Sequence, residues 1–259
     1  MYEENSNMKI GKILLTGVIF LLSAMPALTS EKKWNFLVIV VDDLGQMDIS
    51  PNNPNTFYKT PNLEQLAKES VRFSHNYSAS PVCSPARVAL MTGRHPARIN
   101  ATDWFHNEEG QGRAETYKWG RDIQHMPIEE VTLAEALKTK GYQTAFLGKW
   151  HLGHDEKYWP EHQGFDINVG GYWSGSPRGK NTEKGEGYFS PYNNPRMDDG
   201  EDGEYLTERL STEAVNLLDN FSEADDPFLM VLSYYTVNVP LNAPENTMDK
   251  YDVLAADKN

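Results

Sequence analysis

One cysteine stands in the 259-residue chain, Cys83, inside the run Pro81-Val82-Cys83-Ser84-Pro85-Ala86-Arg87, with Arg94, His95 and Arg98 beyond. A single thiol excludes an intramolecular disulfide framework and a multi-cysteine metal site, so Cys83 is either a small buried hydrophobe or a chemically used group. Elsewhere, Asp42 and Asp43 stand side by side in Asp-Asp-Leu-Gly. Adjacent carboxylates repel unless something positive sits between them, and a hard divalent cation is the usual solution; the plain alternative is a turn in which one carboxylate caps the backbone. Lys149 and His151, two apart in Gly-Lys-Trp-His, can hold an anionic group and move a proton, or can sit in an exposed polar loop. Arg87, Arg94, His95, Arg98, Lys149, His151 and His154 fall in two short stretches of an otherwise acidic chain. That clustering suits a pocket for a small anion.

These groups need elements to position them. Asn35 to Val41 is a continuous β-branched apolar run of the kind found in a strand covered on both faces, and it ends at Asp42. Thr60-Pro61 caps a short helix with Leu63, Leu66 and Ala67 on one face, and Val71 to Tyr77 reads as a strand leading into the cysteine segment. The run from Ala86 to Met91 reads as helical and stops at Gly93. Thr132 and Glu135 have capping-box spacing ahead of a helix that Gly141 terminates, and Tyr142 to Leu147 is strand-like. Tyr158 to Gly203 is rich in Gly, Pro, Asn and aromatics without clear periodicity, and reads as a long ordered loop region. Within it Tyr172, Trp173, Tyr188, Phe189 and Tyr192 can stack on sugar rings or simply pack the loop. Tyr205 to Phe221 is an amphipathic helix, with Leu206, Leu210, Ala214, Leu217 and Leu218 on one side, and Phe228 to Tyr235 is a second buried strand ending near Asn238. Alternating strands and helices predict an α/β fold with a mainly parallel sheet. In such sheets ligands sit beyond the carboxyl ends of strands, where this sequence puts the Asp-Asp, Lys-Trp-His and Thr-Val-Asn-Val-Pro clusters.

The amino-terminal segment has Lys9 and Lys12 ahead of an apolar run from Ile13 to Leu22, then small residues near Ala27 to Ser30. Residues 1–30 read as a signal peptide, which predicts a secreted or periplasmic protein with no stable membrane span, the run being shorter than the roughly 20 residues needed. A net charge of −13 argues against a nucleic-acid partner.

Cys83-Ser84-Pro85-Ala86-Arg87, continuing to Leu90-Met91-Thr92-Gly93, resembles the Cys-x-Pro-x-Arg signature of the type I sulfatases. The Asp-Asp-Leu-Gly upstream and the Gly-Lys-Trp-His-Leu-Gly downstream stand in the order that family shows, and residues 187–209 are similar to its polysaccharide-directed bacterial members. The resemblance implies an alkaline-phosphatase-like α/β/α sandwich and hydrolysis of sulfate esters on a sulfated carbohydrate. It implies that a formylglycine-generating or anaerobic sulfatase-maturating enzyme oxidises Cys83 to formylglycine, whose hydrate attacks sulfur. Asp42, Asp43 and residue 83 would bind Ca²⁺, Arg87 would support the hydrate, Lys149 would contact the aldehyde-derived group or the sulfate, and His151 would assist sulfate release.

Two departures accompany the resemblance. Where the family writes a histidine that contacts sulfate and protonates the leaving alcohol, this chain has Asn238. The family also continues further, to more metal ligands, another sulfate-binding lysine and a smaller subdomain, so residues 31–259 are expected to be the N-terminal part of a catalytic domain with an incomplete sheet. Two other functions stand beside hydrolysis of sulfate esters: a catalytically inactive protein that binds sulfated glycan, and a phosphoester hydrolase of the alkaline-phosphatase superfamily.

Overall fold

The computed structural model describes residues 33–105, 123–178 and 187–256, so the expected signal peptide at 1–30 lies outside the described residues. Four strands, β1 (Phe36–Val41), β2 (Gln143–Gly148), β3 (Ile167–Val169) and β4 (Phe228–Tyr234), form one sheet in the order β1-β4-β2-β3. Every pair is parallel. Five helices accompany them among the described residues: α1 (Pro61–Glu69), α2 (Cys83–Thr92), α3 (Leu133–Lys138), α4 (Leu206–Ser222) and α5 (Glu245–Ala256). The predicted α/β class holds.

The centre of the sheet is apolar because its two inner strands are covered. Leu229, Met230, Val231 and Leu232 of β4 and Ala145, Phe146 and Leu147 of β2 are buried, and α4 lays Leu206, Leu210 and Ala214 into the same core. Those helical residues recur every four positions and so share one face. The Thr132–Glu135 capping box is present in both halves, Thr132 Oγ1 accepting from Glu135 N at 3.1 Å and Glu135 Oε2 accepting from Thr132 N at 2.8 Å. At the end of α2, Gly93 takes a left-handed conformation (φ 66°) and its N–H bonds Ala89 O, as the expected stop requires.

Four expectations need correction. β1 was expected to be covered on both faces, yet Phe36, Leu37, Ile39 and Val41 are between 38% and 55% exposed. It pairs only with β4, and its cover is one-sided: Val38 and Val40 are half-buried, Val38 against the core, while the alternate face stays open. Val71 to Tyr77 forms no strand; an alternating pattern becomes a strand only where a ladder partner exists, and Val71, Phe73 and Tyr77 are exposed instead. Thr60 precedes α1 but makes no side-chain cap, because its hydroxyl is engaged by Ser50 N at 2.9 Å and by Ser50 Oγ at 2.8 Å. The loop region after Tyr158 contains the short strand β3, whose three residues are too few to show a period.

The junction of β2 and β4 is tight where it meets the polar clusters. Gly148 has φ 91°, and a Cβ there would lie 2.0 Å from Ser233 O. Lys149 N bonds that same oxygen at 2.8 Å. Gly148→Ala is therefore expected to lower stability by about 3 kcal/mol or more, combining left-handed strain with a backbone clash. Urea unfolding measures this, and a loss near zero contradicts the packing described.

Candidate active site

Strand register brings the predicted groups together. Val41 pairs with Tyr234 and Gly148 with Ser233, so the residues following β1, β4 and β2 leave the sheet side by side at its carboxyl edge. Val237 N donates to Asp42 O at 2.6 Å, tying the Asn238 turn to the Asp42 turn. Asp43 (φ 57°) and His151 (φ 59°) both adopt the left-handed conformation just past their strands. Non-glycine residues hold that conformation at a cost of about 1 kcal/mol or more, and it concentrates at functional sites.

Cys83 is the first residue of α2, where unpaired backbone N–H groups and the helix dipole favour negative charge. Arg87 lies one turn further on the same helix face. Ser84 points the other way and clamps two loops: its Oγ donates to His151 O at 3.0 Å and accepts from Phe105 N at 2.9 Å.

Asp42 is the electrostatic centre. Its Oδ1 accepts from Arg87 Nη2 at 2.7 Å, and its Oδ2 accepts from Lys149 Nζ at 2.5 Å and from Asn238 Nδ2 at 2.8 Å. Burial alone would raise the Asp42 pKa, but the charges of Arg87 and Lys149 and the bonds from Lys149 and Asn238 bring it below its usual 3.8. Lys149 is fully buried and also donates to Cys83 Sγ at 3.3 Å. Arg87 Nη1 donates to Lys149 O at 2.5 Å and Ser233 Oγ at 2.7 Å, which locks the lysine's backbone to the arginine's head. One oxygen each of Asp42 and Asp43 and the Cys83 sulfur lie within 4.8 Å of one another. Among the described residues no cation pairs with Asp43.

His151 is buried, and its Nε2 lies 3.1 Å from Phe105 O. A carbonyl only accepts, so the proton is on Nε2 and the lone pair on Nδ1, which is buried without a partner. Burial first, then the charges of Lys149 and Arg87, lower its pKa from 6.5 to about 3 against the bond to Phe105. The ring rests on Gly175, where a Cβ would meet His151 Cε1 at 2.4 Å. Beside it opens a cavity of about 620 Å³ that reaches Cys83, Trp104, Trp173, Arg178 and Asn238.

The Sulfatase family model matches residues 34–257. The chain belongs to the sulfatase family. It is 38% identical to arylsulfatase G of Canis lupus familiaris over 166 residues, covering 61% of this chain and 28% of that protein. With steryl-sulfatase of Mus musculus it shares 36% over 162 residues, covering 60% of this chain and 25% of the relative. The crystal structure of Ps i-CgsB in complex with k-i-k-neocarrahexaose is similar with a TM-score of 0.67 and 28% identity, over 85% of this chain and 49% of that one. The chain thus spans between a quarter and a half of the length of these proteins.

Of the residues singled out in this sulfatase chain, Asp42, Asp43, Cys83, Arg87, Lys149, His151 and Asn238 meet at one sheet edge. The wider cationic cluster does not assemble. Arg94 pairs with Glu130, His95 Nδ1 accepts from Ala97 N, and Arg94, His95 and Arg98 are exposed. Tyr172, Tyr188 and Tyr192 are buried as loop packing, Phe189 packs on Tyr205, and Trp173 alone of the five lines the cavity. Sequence reasoning missed Ser84, Ser233, Gly175, Trp104 and Arg178. Ser84 was visible inside the cysteine motif and Arg178 lies close in sequence to its partners Trp173 and Ser174; Ser233, Gly175 and Trp104 carry no local signal, because their partners lie on distant segments.

Stability rises with pH wherever the unfolded chain binds more protons. His151 titrates near 6.5 when unfolded and about 3 when folded, so its contribution is complete above pH 6.5 and is lost as pH falls toward 3. Asp42, lowered below 3.8, adds a loss that begins only below that value. The thermal midpoint is expected to fall on acidification from about pH 7 to about pH 4, and His151→Gln to flatten the fall. An identical slope in the variant contradicts this assignment.

Proposed function

We propose that this chain carries the nucleophile half of a sulfuric ester hydrolase acting on sulfated carbohydrate, with residue 83 attacking sulfur. The observation that carries the reading is the placement of Cys83 at a helix start, 3.3 Å from a fully buried lysine that shares one carboxylate with Arg87. Such a site holds fixed positive charge where an anion's oxygens would lie and excludes water from behind them.

As a thiol, Cys83 is a weak partner for sulfur chemistry of this kind. The family resemblance supplies the maturation: a maturation enzyme that reads Cys83, Pro85 and Arg87 brings its own two-electron oxidant and converts the Cys83 side chain to an aldehyde, formylglycine, as the carbon–sulfur bond breaks and sulfur leaves at the sulfide level. One hydroxyl of the hydrated aldehyde forms a bond to sulfur as the bond from sulfur to the alcohol oxygen breaks, and the alcohol leaves with a proton. The second hydroxyl then gives up its proton, its oxygen re-forms the aldehyde, and the bond from carbon to the sulfate oxygen breaks. Water rehydrates the aldehyde. Lys149 and Arg87 offset the sulfate charge, the hydrate's proton passes to solvent, and the neutral His151 assists sulfate release as a hydrogen-bonding group rather than as a strong base.

Asp43, with no cationic partner among the described residues, fits as one of the six to eight oxygen ligands that Ca²⁺ takes, and Asp42 would join it by exchanging one of its bonds to Arg87, Lys149 or Asn238 for the cation. A bound Ca²⁺ would neutralise sulfate charge and polarise its oxygens. Residues 1–30 act in this reading as a signal peptide and 31–259 as the N-terminal part of the catalytic domain, which places the protein outside the cytoplasm. No described helix is long and apolar enough to cross a membrane.

A glycan-binding protein without turnover is the second reading, favoured by Asn238. Its amide donates to Asp42 but offers no proton of useful acidity to a leaving alcohol. Two measurements separate the readings. The full chain made with a formylglycine-generating enzyme is expected to yield a Cys83 peptide with the mass of the aldehyde and to hydrolyse phenyl sulfate, and Cys83→Ala to lose all turnover. An unmodified thiol under those conditions, or turnover surviving Cys83→Ala, overturns the hydrolase reading. Asn238→His is expected to raise hydrolysis of alkyl sulfates by about 10²-fold or more, the usual size of general acid assistance, and that of phenyl sulfates far less. Equal gains on both substrates contradict the role given to position 238.

A further inference from the structure

The cavity beside Cys83 differs in composition from the chain around it. Aspartate and glutamate make up 37 of 259 residues, yet among the described residues none lines this cavity, whereas His151, His154 and Arg178 all do. Two indole rings, Trp104 and Trp173, also face it. A volume of about 620 Å³ is in the usual range of small-molecule sites.

Among the described arginines, Arg72, Arg98 and Arg178 have no carboxylate partner, and of these three Arg178 lines the cavity. Arg87 pairs with Asp42, Arg94 with Glu130, Arg196 with Glu156 and Glu161, and Arg209 with Glu204 and Glu213. Among the described residues no carboxylate pairs with Arg178. Its side chain is nonetheless held. The guanidinium carbon sits 5.1 Å from the centroid of the Trp173 ring, and Nε donates to Ser174 Oγ at 3.1 Å. Ser174 is fully buried and its hydroxyl donates in turn to Ser176 O at 2.7 Å, while Asn193 Nδ2 fixes Arg178 O at 3.0 Å. Ordinary exposed arginines lose rotamer freedom when they bind; this one has surrendered much of it already. Nε is used inward, which leaves the Nη end of the fork for a planar or tetrahedral oxyanion.

We infer that Arg178, stacked on Trp173, recognises a second anionic substituent of the carbohydrate whose sulfate ester lies at residue 83. This rests on the sulfate-ester reading above and adds a substrate class to it: sugars or disaccharides carrying two anionic groups, with Trp104 and Trp173 against the apolar faces of the rings. A charge-assisted hydrogen bond of this kind corresponds to about tenfold in affinity or more.

The test uses the full chain made without a maturation enzyme, so that Cys83 remains a thiol and nothing turns over. Calorimetry at fixed ionic strength compares a panel of monosulfated disaccharides, their disulfated counterparts, and counterparts in which a uronate carboxylate replaces the second sulfate. The expected result is an advantage of about tenfold for at least one doubly anionic member over its monosulfated partner, abolished by Arg178→Gln and partly kept by Arg178→Lys. Whichever arm shows the advantage names the second anion. An advantage that survives Arg178→Gln, or none in any pair, overturns the assignment and leaves the hydrolase reading standing. Failure of every sulfated sugar to bind overturns both. Arg178 is exposed, so an unchanged thermal midpoint of each variant verifies the fold.

Discussion

Two buried cations and one buried carboxylate set the terms of this structure. Arg87 and Lys149 come from different elements, a helix start and a strand end, and neither tolerates burial alone. Asp42 gives each a separate oxygen, and the amide of Asn238 shares the one bonded to Lys149. The sheet has to bring β1, β4 and β2 into one register for this to happen, and Gly148 has to lack a side chain for β2 to close on β4 at that point. The fold and the site are therefore one constraint seen from two sides.

The arrangement is asymmetric in a way that suits an anion. Asp42 is fully engaged, while neighbouring Asp43 and the sulfur of Cys83 face the open side with Lys149 between the two regions. His151 is kept neutral by its burial and by the cations beside it, with its lone pair on the buried nitrogen. A neutral imidazole whose protonation the cations beside it oppose acts through its hydrogen bonds rather than by holding a proton. In the proposed hydrolysis the acid side falls to position 238, and there an amide stands.

Much of this was legible from residues alone where chemistry and chain order coincide. The cysteine motif spans a single helical turn, so its geometry is local, and the strand ends of β1, β2 and β4 announce themselves by apolar runs that stop at polar clusters. What escaped was long-range. Ser233 and Gly175 matter because of Arg87, Gly148 and His151, which sit far away in sequence, and nothing beside them signals it. The exposed face of β1 escaped for a related reason: an apolar run rich in β-branched residues states what a strand requires, not which element covers it. Val71 to Tyr77 has the period of a strand and no ladder to join. Of the aromatic residues in the loop region, burial separated Trp173 from its tyrosine neighbours, a distinction that residue type does not carry.

The central claim is that the ester is attacked at sulfur, so that the bond from sulfur to the alcohol oxygen breaks. Hydrolysis of a sulfate ester by the matured chain in heavy-oxygen water tests it most directly, with both products analysed by mass. The hydrate exchanges its oxygen with solvent, so the account predicts label in the inorganic sulfate and an unlabelled alcohol. Label in the alcohol would show that the carbon–oxygen bond breaks instead, and would contradict the account.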